Sequence, residues 1–316
     1  MSTSTSPRKI IIDTDPGQDD AVAILAAIGS PDELQVLGIT TVGGNVPLEL
    51  TTKNALILVE LAGRVDIPVH AGHAKPQDRE LVTAEMVHGK TGLDGADRPD
   101  PTVTAASGHA VDFIIETLDR NEAVTLCTLG PLTNIADVLK QRPDLAANIE
   151  QIVLMGGGHF EGGNVTPAAE FNIWADPPAA ATVFTSGIDL VMMPLDVTHK
   201  ALTSPERIAA FADLDTAPGR ATAGMLGFFE RYDIGRYGST GAPLHDPCVI
   251  AYLLDPEIFS GRRCNVEIEL VSPLTMGATV VDWWGATDRE PNCLVIGDLD
   301  DARFYELLTD RIGRLG

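Results

Sequence analysis

The sequence predicts an α/β protein: an open, mainly parallel, twisted sheet with helices on both faces and a helical excursion. Three observations carry this expectation. Short apolar runs of strand length alternate with longer segments of helix length through most of the chain, the pattern of repeated β-α units. The first run, Ile10-Ile11-Ile12, has no polar residue on either face and suits a strand covered on both sides. Several runs end abruptly in acids, glycines or amides, and sheets of this type bind ligands beyond the carboxyl ends of their strands.

The elements follow in order. The apolar run from Lys9 stops at Asp13, Pro16-Gly17 forces a turn, and a helical pattern runs from Ala21 to Ile28. Leu34 to Thr41 reads as a second strand, ending in Val-Gly-Gly-Asn, where Gly43 and Gly44 allow close backbone approach and Asn45 presents an amide. Pro47 to Ala62 reads as a helix with Pro at its first position and Gly63 past its end. A short strand at Ile67 to His70 leads into residues 71–105, rich in Gly, Asp and Pro, which read as one long loop of the kind that forms lids or binding loops.

Alternation then resumes with helix Ala106 to Leu118, strand Ala123 to Thr128, helix Leu132 to Lys140 and strand Gln151 to Met155. Gly156 to Gly158 lack the Lys of a P-loop and the spacing of a dinucleotide fingerprint, which argues against a phosphate cradle. Asn164, Glu170 and Asn172 fall in an expected loop, where they serve as turn residues or ring a polyhydroxylated ligand. Helix Pro178 to Ser186 and strand Asp189 to Met193 precede Asp196 and His199, read as structural rather than as a dyad. The helical excursion covers Pro205 to Phe211 and Ala221 to about Gly235, with Tyr232 and Tyr237 in its tail. His245 and Asp246 start an apolar helix, Cys248 to Leu254, so Asp246 also reads as a cap. Strands near Asn265 to Leu270, Thr275 to Asp282 and Cys293 to Ile296, with a helix from Ala302 to Ile312, suggest the edge of the sheet. Residues 1–7 read as a loose tail and 8–316 as a single domain.

Composition narrows the function. A formal charge of −23, from 45 acids against 22 bases, opposes binding to nucleic-acid phosphates and favours a small neutral substrate. Cys127, Cys248, Cys264 and Cys293 are far apart and form no C-x-x-C pair, so the expectation is a reducing cytoplasm without a zinc knuckle. The amino terminus lacks the apolar core of a signal peptide, and no run of 18 apolar residues is present, so no membrane association is expected.

The chemistry is concentrated where the first strand ends. Asp13, Asp15, Asp19 and Asp20 fall within eight residues. Two carboxylates about 4 Å apart repel by roughly 4 kcal/mol at an effective dielectric near 20, so the cluster needs protons, donors or a cation. The turn holds no Lys or Arg, which makes a cation the economical answer. A helix cap is the plainer reading of any isolated Asp pair, and the helix dipole assists Asp19 and Asp20 in either case.

The run Asp-Thr-Asp-Pro-Gly-Gln-Asp-Asp resembles the amino-terminal motif of the nucleoside hydrolases, calcium-dependent enzymes that cleave the N-glycosidic bond. ITTVGGN, VHGKTGLDG, GPLTNIA, VLMGGG, AAEFNI, LDVTHKA and HDPC follow in the family's order, so the likeness spans nearly the whole chain. The resemblance implies that Asp15, Asp20 and Asp246 bind Ca²⁺ together with the main-chain carbonyl of Leu129, a position often Thr in the family. It further implies Asp15 as the base that takes a proton from water, and Asp19, Asn45, Asn164, Glu170 and Asn172 as holders of the ribose hydroxyls. By the same likeness His245 lies near the leaving base, His88 sits in a loop over the site, and the protein forms a homodimer or homotetramer. GAPLHDPC, TVVDWW and VTHKA look most like the pyrimidine-preferring branch, with Tyr232 and Tyr237 as candidate base contacts.

Two readings compete. Asp13-x-Asp15 after a strand, with Gly-Asp-Leu-Asp-Asp at 297–301, permits a phosphatase of the haloacid dehalogenase type, although it leaves Asp19, Asp20 and His245 without a role. A calcium-dependent nucleoside-binding protein without turnover is the second.

Overall fold

A computed structural model describes residues 6–97 and 99–316; the side chain of Tyr237 lies outside what is described, as do residues 1–5 of the expected tail. The strands are β1 (Arg8–Thr14), β2 (Leu34–Thr41), β3 (Val69–Ala71), β4 (Val124–Thr128), β5 (Ile149–Met155), β6 (Leu190–Met193), β7 (Phe259–Cys264), β8 (Val266–Ile268), β9 (Thr279–Val281) and β10 (Cys293–Leu299). The helices are α1 (Gln18–Ile28), α2 (Leu48–Leu61), α3 (Glu85–His88), α4 (Ala110–Arg120), α5 (Thr133–Gln141) and α6 (Phe171–Ala175). They continue with α7 (Pro177–Phe184), α8 (Leu195–Thr198), α9 (Pro205–Ala212), α10 (Ala217–Tyr237), α11 (Pro247–Leu254) and α12 (Asp301–Gly313).

Eight strands form one sheet in the order β3-β2-β1-β4-β5-β6-β10-β7, parallel except for β7 against β10. The chain winds outward from β1 through β2 to β3, then crosses to β4 on the other side of β1. The order therefore reverses between β1 and β4, and the crevice at such a switch point is where doubly wound sheets bind ligands. In register, Asp13 lies between Thr40 of β2 and Thr128 of β4.

The three isoleucines of β1 divide between two cores as strand alternation demands. Ile10 and Ile12 pack in the core that includes residues of α1, α2, α11 and α12, and Ile11 packs on the opposite face with residues of α4, α5 and α7. Helix α1 is buried along its whole length, because α10, α11 and α12 pack around its outer side. Its alanine-rich, all-round apolar sequence is what such a doubly covered helix requires.

Several expectations change in the structure. The loop 71–105 contains the one-turn helix α3, and Asn172 lies on α6 rather than in a loop. The edge strand β7 was not expected: its middle residues 260–263 are exposed and polar, so it shows no apolar run. β8 and β9 do not join the main sheet edge but pair as a separate two-stranded sheet. The excursion α9–α10 is longer than its pattern suggested, because the Thr216 side chain accepts from the Gly219 N–H at 3.1 Å and starts α10 earlier. No helix among the described residues is long and apolar enough to cross a membrane.

Candidate active site

The acids stand at the carboxyl end of β1 and the start of α1, at the switch point. Each is positioned by local backbone. The Gly17 N–H donates to Asp20 Oδ2 at 2.9 Å, the Thr14 hydroxyl donates to Asp20 Oδ1, and the Asn45 Nδ2 donates to Asp20 Oδ2 at 3.2 Å. Asn45 also ties down Asp15, donating its backbone N–H to Oδ2 at 2.7 Å and its amide to the Asp15 carbonyl at 3.2 Å. Asp13 points elsewhere, into a network where Thr40 Oγ1 (2.5 Å) and Asn134 Nδ2 (2.8 Å) donate to Oδ1.

Asp246 reaches this corner from the far end of the chain. It occupies the N-cap position of α11 but has helical dihedrals (φ −65°, ψ −35°) and makes no side-chain cap. The cap reading fails for Asp246 because its carboxylate faces α1: oxygens of Asp19, Asp20 and Asp246 lie within 4.8 Å of one another, all buried. Asp15 is outside that triangle yet close enough that Asp20 and Asp19 oppose its ionisation.

Two glycines make the packing around Asp15 possible. A Cβ on Gly44 would stand 2.0 Å from Asp15 Oδ2, and one on Gly130 would stand 2.4 Å from Oδ1. The Val-Gly-Gly-Asn and Leu-Gly-Pro-Leu segments thus press bare backbone against the carboxylate from two strands, β2 and β4.

Glu170 and Asn172 stand at the start of α6, beside the ends of β4 and β5. Glu170 caps α6, accepting from Asn172 N–H (2.9 Å) and Ile173 N–H (3.2 Å), and also from Gly157 N–H at 2.9 Å. Asn172 Nδ2 donates to the carbonyls of Leu129 at 2.8 Å and Met155 at 3.2 Å. Leu129, Glu170 and Asn172 therefore meet across the ends of β4 and β5. The Gly156–Gly158 run offers no phosphate cradle, since Gly157 donates to Glu170 and Gly158 donates to Thr279 Oγ1 at 3.0 Å.

The rim is made by His88, His245 and the tail of α10. His88 ends α3, buried, with Nδ1 2.9 Å from Gln18 Oε1 and its ring 5.5 Å from that of Phe229. His245 is half-buried, with Nδ1 2.8 Å from Thr198 Oγ1 and its ring 5.9 Å from His199. Tyr232 lies on α10, its hydroxyl 3.7 Å from Met86 Sδ on α3. Tyr237 ends α10, and its side chain is outside the described set. Asn164 is exposed and accepts from Phe171 N–H at 3.0 Å, a turn contact. Asp196 accepts from the N–H groups of His159, Phe160 and Glu161, which is the structural role expected for it.

Charge at this corner is unbalanced. Burial, reinforced by mutual repulsion, raises Asp19 to about 7 and holds Asp15 and Asp246 well above the usual carboxylate range. Asp13 is raised to about 6 and Glu170 to about 7 by burial. Asp15 Oδ1 and Asp19 Oδ1 are buried with no hydrogen-bond partner among the described residues. Orphaned oxygens on clustered acids fit a hard divalent cation, which takes oxygen ligands and removes both the repulsion and the missing partners. His88 and His245 are both pushed down to about 3, chiefly by burial, and stand neutral.

Several residues of this corner carried no signal in the sequence. Gln18, Thr14, Thr198 and Asn134 are common types in unremarkable positions, and only their partners give them meaning. All four lie inside stretches that carry the resemblance, Thr14 and Gln18 in the acidic turn, Asn134 in GPLTNIA and Thr198 in LDVTHKA, but none has a role of its own there.

A doubly wound sheet with buried carboxylates gathered at its switch point, beside amides and two neutral histidines, defines a site suited to hold a divalent cation next to a polar ligand. The chain belongs to the inosine-uridine preferring nucleoside hydrolase family, whose profile matches residues 10–306. It is 47% identical over 96% of its length, and 98% of the relative's, to the pyrimidine-specific ribonucleoside hydrolase RihA of Shewanella woodyi. It is 52% identical, over 97% of its length and 99% of the relative's, to an uncharacterized protein of Schizosaccharomyces pombe. The structure of a purine-preferring ribonucleoside hydrolase from Gardnerella vaginalis superposes with a TM-score of 0.90 at 33% identity, covering 98% of this chain and 99% of that one. The phosphatase reading is thereby overturned, and the Gly297–Asp301 acids have structural partners: Asp298 pairs with Lys200, Asp301 pairs with Arg207, and Asp300 caps α12.

Proposed function

We propose that this chain is a calcium-dependent hydrolase of pyrimidine ribonucleosides, releasing ribose and free uracil or cytosine. The observation that carries the chemistry is the buried triangle of Asp19, Asp20 and Asp246 with Asp15 beside it. The base preference rests on near full-length identity of 46% and 47% to enzymes named pyrimidine-specific.

In this reading Asp15, Asp20, Asp246 and the Leu129 carbonyl hold Ca²⁺. When bound, the ion lets the acids stay ionised side by side and makes an adjacent water more acidic. Asp15 takes the proton of the attacking water, held in place by Asn45 and by the backbone of Gly44 and Gly130. The remaining acids oppose the positive charge that develops on the ribose ring as the bond to the base breaks. Asp19, Asn45, Glu170 and Asn172 hold the sugar hydroxyls, the capped carboxylate of Glu170 being fixed by three N–H groups, while Asn164, exposed and engaged in a turn contact, adds little. His245 acts at the leaving base, near His88, with Tyr232 and Tyr237 as candidate base contacts. The enzyme works in the cytoplasm as a homodimer or homotetramer, with residues 8–316 as one domain.

A purine preference is the second reading, favoured by the likeness to the Gardnerella vaginalis enzyme. The test is release of reducing sugar from uridine, cytidine, inosine and adenosine by chelator-stripped protein, before and after Ca²⁺ is returned. Calcium-dependent release with a higher kcat/KM for uridine than for inosine is expected; the reverse ranking supports the second reading, and release without calcium overturns the metal assignment.

A further inference from the structure

The hydrogen bonds around Gln18 fix more than a contact. Gln18 is fully buried, and its amide nitrogen donates to two backbone carbonyls, His88 at 2.9 Å and Asp94 at 3.2 Å. Carbonyl oxygens only accept, so the NH₂ end of this amide is on that side and Oε1 is on the other. Oε1 lies 2.9 Å from His88 Nδ1. An amide oxygen only accepts as well, so the proton between them belongs to Nδ1. In a neutral imidazole the second nitrogen then carries the lone pair. His88 Nε2 has no hydrogen-bond partner among the described residues and is not among the fully buried orphan atoms.

The fit is built from the motif itself. A Cβ on Gly17 would stand 2.3 Å from His88 Nδ1, so the Pro-Gly-Gln turn admits the ring with its glycine and orients it with its glutamine. His245 shows what is missing elsewhere: its Nδ1 meets the hydroxyl of Thr198, which can donate or accept and so leaves the tautomer open.

We propose that Gln18 is a positioning residue that holds His88 as the Nδ1–H tautomer, so that Nε2 presents a lone pair to an N–H or O–H donor of the bound nucleoside. The second half rests on the substrate-binding reading of His88 given above. Held this way, His88 has no proton on Nε2 to give to a leaving base, and its part is recognition.

The tautomer is read without substrate or turnover, by NMR of the calcium-loaded protein labelled with ¹⁵N-histidine, the His88 signals being those lost in His88→Asn. A pyrrole-type Nδ1 and a pyridine-type Nε2 are expected, unchanged between neutral and mildly alkaline pH. A protonated Nε2, or averaged signals, overturns the proposal. In Gln18→Met, which fills the space without an acceptor, the His88 signals should average. KM for uridine should then rise roughly tenfold, the worth of one hydrogen bond, with kcat within about twofold. Because Gln18 precedes Asp19 and Asp20, a purely structural role would instead lower kcat and weaken the calcium dependence, and that result refutes the positioning role. Inactivity of the unsubstituted enzyme on every nucleoside would count against the reading of the site, leaving the tautomer measurement to stand by itself.

Discussion

The corner that holds the acids and the rim that overhangs it are built in different ways. At the corner, carboxylates are gripped by backbone: Asn45 and Gly17 donate main-chain N–H groups, and Gly44 and Gly130 touch Asp15 so closely that no side chain fits. At the rim, the tail of α10 meets α3 through long side chains, Tyr232 against Met86 and Arg231 against the Val87 carbonyl, with Met86 67% exposed. Backbone contacts cannot be retuned by substitution, whereas contacts between exposed side chains can. On the proposed reading, the corner serves the chemistry common to all nucleosides and the rim the choice of base. Relatives named for opposite base preferences share the fold, which agrees with that division.

The contrast can be broken or sharpened by experiment. Chelation strikes the whole corner and should give the largest effect: nucleoside hydrolysis lost and Tm lowered by several degrees, both restored by Ca²⁺. An ion present at 100 times its Kd contributes about 2.7 kcal/mol of stability. A scanning-calorimetry trace indifferent to chelator would mean that the acids are not held together by a cation. Asp15→Asn keeps the shape and deletes the base, and kcat should fall by about 10²- to 10⁴-fold while KM moves little. Steady-state kinetics with kcat intact would remove Asp15 from the proton transfer.

Gly44→Ala tests whether backbone grip matters. Its methyl must displace Asp15 Oδ2, and a shift near 1 Å should cost roughly 10²-fold in kcat. Near-normal kcat in that variant would mean that the corner is as adaptable as the rim. At the rim, Tyr232→Phe should change the uridine-to-inosine ratio of kcat/KM by a few-fold, roughly one exposed polar contact, and leave Tm in place. An equal loss on both nucleosides would tie Tyr232 to the sugar rather than the base. Asn164→Ala should have the smallest effect, within about threefold on KM, because its exposed carboxamide accepts from Phe171 N–H, a turn contact worth about 1 kcal/mol. A larger rise in KM would bring Asn164 into the ribose site.

The sequence by itself determined the α/β architecture and the gathering of acids at the end of β1. Ile10 to Ile12 and the other apolar runs are readable because a strand covered on both faces must be apolar throughout, and acids at its end are conspicuous because nothing nearby neutralises them. β7 is not legible for the opposite reason, an edge strand with residues 260–263 in solvent having no such pattern. The resemblance already grouped Asp246 with Asp15 and Asp20; only the tertiary structure decided that its carboxylate faces α1 without capping α11, that Asn172 reaches Leu129, and that Gln18 meets His88. Local periodicity records which face of an element is buried. It does not record which distant polar group will be waiting there, because hydrogen bonds are set by where the packed sheet and helices bring donors and acceptors together.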